Sequence, residues 1–67
     1  MRNYCLSIYI PELQDRFQAL WSKQNQPKIG DIIKVSNMFY GDIIYYAEIL
    51  KVETGFHEMK ARDFCCV

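Results

Sequence analysis

The run from Ile43 to Glu53 is the most strand-like segment of the chain, and its apolar face changes sides partway along. Tyr45, Ala47 and Ile49 share one face by period-two alternation, whereas Leu50 and Val52 belong to the other. A strand cannot change phase in this way without an extra residue, so a bulge or strong bend is expected near Ile49. A sheet containing such a strand is strongly bent, or curls into a partly open barrel.

The chain has 67 residues, enough for a single domain spanning 1–67 and one core. A domain this small needs dense apolar packing, a metal or disulfides to be stable. At 51% hydrophobic and 15% aromatic, the composition supports the first route. The three cysteines, Cys5, Cys65 and Cys66, form an odd set with two adjacent members. Together with the lack of a secretory leader pattern, they are read as free thiols of a cytoplasmic protein. No run approaches the ~20 apolar residues of a membrane span, so no membrane partner is expected.

Other segments complete the pattern. Asn3 to Ile10 alternates, with Tyr4, Leu6, Ile8 and Ile10 on one face, and Pro11 ends it. From Pro11 to about Gln24 the spacing of Leu13, Phe17, Leu20 and Trp21 predicts an amphipathic helix. Pro11 suits its first turn, and Glu12 pairs with Arg16 one turn on. Ile29 to Asn37 reads as a strand opening on the turn-compatible pair Gly30-Asp31. Asn37 to Asp42 is a loop, Thr54-Gly55 a turn, and His57 to Phe64 a last alternating strand. The expected class is α+β, in the order β-α-β-β-β, with one helix packed on a small bent antiparallel sheet or partly open barrel.

Two segments carry a resemblance. Ile29-Gly30-Asp31-Ile32-Ile33 and Tyr45-Tyr46-Ala47-Glu48-Ile49-Leu50-Lys51-Val52 resemble the small-barrel pattern of Tudor-like and Src-homology-type domains. They are also similar to PUA-like domains of the ASCH type, which the preceding strand and helix fit slightly better. The chain lacks the basic residues usual after that family's helix. The resemblance therefore implies a fold and no activity.

Catalytic and metal chemistry find little support. One histidine, His57, and the cysteines make no paired spacing of a zinc site and no oriented nucleophile–base pair. No cofactor, no metal and no enzymatic activity are expected. The candidate binding residues are Met38, Phe39, Tyr40, Tyr45 and Tyr46, an aromatic stretch around a turn. As Tyr45 and Tyr46 are consecutive in a strand, at least one faces solvent or a partner. In a Tudor-like barrel such rings line a cage for a methylated cation; the plainer reading is that they cap a small core.

Lys34, Lys51, Lys60 and Arg62 would form a basic strip if they shared a face, but acidic residues are interleaved and the formal net charge is zero. Phosphate-backbone binding usually draws on a basic surface. The sequence thus favours a protein-binding module, such as a small phage or mobile-element inhibitor or adaptor acting on a host protein. A small RNA- or DNA-binding barrel is the alternative. A homodimer through an uncovered strand edge or the Trp21 helix face is a further expectation.

Overall fold

The computed structural model describes residues 4–37, 43–54 and 64–67. These form five strands: β1 (Tyr4–Ile10), β2 (Asp15–Trp21), β3 (Ile32–Asn37), β4 (Ile44–Thr54) and β5 (Phe64–Cys66). They close into a barrel in the order β1-β2-β5-β3-β4, with β4 returning to β1. All neighbours are antiparallel except β2 and β5, which run parallel through Ala19↔Phe64 and Leu20↔Cys65.

The expected helix over 11–24 is not formed, and the described residues contain no helix. The protein is therefore all-β rather than α+β over these residues, and the barrel is closed rather than partly open. The reason lies in an ambiguity of spacing. Phe17 and Trp21 fall on one stripe at a helical period and also on one face at a period of two. What separates the readings is Ala19, which is fully buried, while Leu13 is 41% exposed and Leu20 lies half-buried on the outer face. Only a strand gives that pattern.

The local chain supports the hairpin. Leu13 N–H donates to the Ile10 carbonyl and Gln14 N–H to that of Pro11, both at 3.1 Å, so two successive turns reverse the chain. Pro11 supplies the fixed φ that suits the second position of a turn as well as it would suit a helix start. Gln14 closes the loop at φ 53°, after which Asp15 pairs with Ile10.

The phase change in β4 is present where the alternation places it. Ser7 pairs with Lys51 and Ile8 with Ile49, so Leu50 has no opposite number on β1. Before this bulge Ala47 and Ile49 are buried; after it Val52 packs against the core. Bulges increase local bending and twist, and here the bend lets β4 pair with β3 along one half and β1 along much of its length.

A second irregularity starts β3, which begins at Ile32 rather than Ile29. Lys28 to Asp31 form a turn, with Asp31 N–H donating to the Lys28 carbonyl at 3.2 Å and Gly30 at φ 94°. That left-handed conformation is one glycine adopts freely. Gly30 N–H then donates to the Ile49 carbonyl at 2.8 Å, and Ile49 N–H to the Asp31 carbonyl at 3.0 Å. Gly30 and Asp31 together thus oppose Ile49, a glycine-led bulge.

The core is built from the inward faces: Leu6, Ile8, Ile10, Ala19, Trp21, Val35, Ala47, Ile49 and Phe64. No described polar or charged residue is buried. Trp21 reaches its single polar need by donating from Nε1 to the Asn25 carbonyl at 2.7 Å. The connection between β2 and β3 is held against the barrel there, and Pro27 is buried within it.

Closure alters the expectation for self-association. Each described strand has a neighbour on both sides, so none of the described strands is a separate edge of the kind that recruits a second copy. The Trp21 helix face does not exist, and the indole is only 4% exposed.

Candidate interaction surface

The outer face of the β3–β4 hairpin is where the structure concentrates exposed apolar surface. Alternation points Ile33, Val35, Tyr45 and Ala47 inward, which leaves Ile32, Lys34, Ile44 and Tyr46 outward. The register sets them in rows: Ile32 opposite Glu48, Lys34 opposite Tyr46, Ser36 opposite Ile44. On the far side of β3, Val67 N–H donates to the Lys34 carbonyl at 2.9 Å, which carries the chain past β5 alongside Lys34.

Single exposed apolar residues are common on soluble domains and need no explanation. Here several share one outward face. Ile32 is 62% exposed, Ile44 52%, Tyr46 63% and Val67 52%. Ile44 and Tyr46 lie two apart on β4, Ile32 lies diagonal to Tyr46, and Val67 and Tyr46 flank Lys34, so the apolar side chains share one outward face with Lys34, Ser36 and Glu48 set between them. Ile43, next to Ile44 in the chain, is also exposed.

Lys34 sits with its Nζ 5.9 Å from the centroid of the Tyr46 ring, a cation–π contact. No described carboxylate forms an ion pair with it. The neighbouring cation Lys23 is engaged differently: its Nζ donates to the Val67 carbonyl at 2.5 Å and lies 5.3 Å from the Trp21 ring centroid.

The candidate binding residues named from the sequence divide. Met38, Phe39 and Tyr40 lie outside the described residues. Tyr45 points inward, packs against the core and meets Phe64 edge-on, centroids 6.1 Å apart and planes at 79°. Tyr46 points outward. The two tyrosines therefore do not share a site and cannot form two walls of one cage for a methylated cation. Ile32 and Ile44 were missed because a run such as Ile32-Ile33 reads as core. The available signal was that consecutive strand residues face opposite ways.

Of the basic strip, the two described members are not neighbours. Lys34 faces Tyr46, whereas Lys51 lies beyond the bulge opposite Ser7 and pairs with Glu53 at 2.9 Å. Lys60 and Arg62 lie outside the described residues, as does His57.

Cys66 points inward opposite Val35 and packs against the core. Burial pushes its pKa up to about 11 from the usual value of 9.0, against a smaller lowering by Lys23. A folded-state pKa above the unfolded one means that the unfolded chain loses its proton first as pH rises. The Cys66 contribution to stability is therefore full below about pH 9 and declines towards pH 11. Alkylation of Cys66 by iodoacetamide at pH 8 is accordingly expected to be slower in the folded protein than in urea. Equal rates, read by mass spectrometry of the Cys66 peptide, would contradict this.

No group of three or more potential metal ligands occurs among the described residues, and no described helix is long and apolar enough to cross a membrane. No protein-family model, curated protein or solved structure matches this chain. Its class is thus defined by its architecture: a closed five-stranded β-barrel with one parallel pair. A turn at Gly30-Asp31 does lead into a barrel strand, in keeping with the small-barrel pattern. The helix that inclined the comparison towards PUA-like domains is absent from the segment expected to form it.

Proposed function

We propose that this chain is a non-enzymatic protein-binding module that docks through the outer face of β3 and β4. The observation that supports this is the placement of Ile32, Ile44 and Tyr46, each more than half exposed, on one outward face of the barrel. Leaving such side chains in water forfeits roughly 25 cal/mol for each Å² of apolar surface that a partner could cover. Exposed apolar side chains gathered on one face mark interaction sites more often than isolated ones do.

Tyrosine is among the residues that dominate interface energetics, and aliphatic neighbours exclude water around it. Binding without chemistry is the work of an adaptor or inhibitor. A nucleic-acid surface is less well supported, because the formal net charge is zero and Lys51 is already paired with Glu53.

The test uses two outward substitutions, Ile44→Asp and Tyr46→Asp, beside Gln18→Asp on the outer face of β2. All three are expected to keep the wild-type circular dichroism spectrum. For any partner captured by the wild-type protein, the first two are expected to weaken binding by about 2 kcal/mol or more each, and the third by little. Partners retained by both β4 variants would remove this face as the docking site.

A further inference from the structure

We draw no further inference here: the strongest candidate, the outward face of β3 and β4 around Lys34, belongs to the surface already described, and nothing in the structure shows what covers it.

Discussion

Replacing Phe64 with alanine is expected to remove most of the stability of this protein. Phe64 is the first residue of the short strand β5, which pairs with β2 on one side and β3 on the other and so closes the barrel. Its side chain is 3% exposed. It meets Phe17 at a centroid distance of 4.9 Å and Tyr45 at 6.1 Å, both edge-on. Truncating a buried phenylalanine costs about 3–5 kcal/mol through lost transfer energy and the cavity left behind. A domain of this size is held by only about 3–10 kcal/mol in total, at roughly 0.05–0.15 kcal/mol per residue.

Phe64→Ala should therefore shift the urea midpoint drastically or leave the chain unfolded, while Phe64→Leu retains a cooperative transition. A cost of Phe64→Ala below about 1 kcal/mol, within the range of ordinary surface changes, would mean that β5 does not complete the core.

The second large effect separates a strand from a helix at β2. Ala19 is fully buried, opposite Leu6 on β1 and Phe64 on β5, whereas Leu20 faces outward opposite Cys5 and Cys65. An aspartate at 19 places an unpaired carboxylate in a core that contains no described polar group. Removing the partner of a buried charge typically costs about 3–5 kcal/mol, and a charge with no partner at all is in the same position. Ala19→Asp is thus expected to unfold the protein or to force the new carboxyl to stay protonated. Leu20→Asp should cost about 1 kcal/mol or less.

A helix over 11–24 would reverse this order, since Leu20 lies on its apolar stripe. Chemical denaturation of the two variants decides between them, and tolerance of Ala19→Asp would contradict the barrel.

These two positions also show why the sequence was only partly readable. Strand β1 was legible because Tyr4, Leu6, Ile8 and Ile10 alternate without exception and Pro11 stops them. The bulge in β4 was legible because a change of apolar face has one local explanation. At β2 the decisive residue was an alanine, small enough to be silent in either pattern, while Phe17 and Trp21 satisfied both. What selects the strand is pairing with β1, a tertiary effect that overrides local preference.

Closure was not legible for a similar reason. The parallel pairing of β2 with β5 joins residues far apart in the chain, and nothing in Phe64-Cys65-Cys66 names its neighbours. At the surface, Tyr46 could be placed by adjacency to Tyr45, but the outward turn of Ile32 and Ile44 was hidden within runs that look like core.

On the proposed reading, the outer face of β3 and β4 is where this protein meets its partner. It is tested most directly by placing a photo-crosslinking benzoylphenylalanine at position 46, and in a second protein at position 18, on the outer face of β2. Position 46 is expected to yield a crosslinked species that Ile44→Asp abolishes, while position 18 yields none. Crosslinking to the same partner from position 18 alone, or from position 46 irrespective of Ile44→Asp, would contradict it.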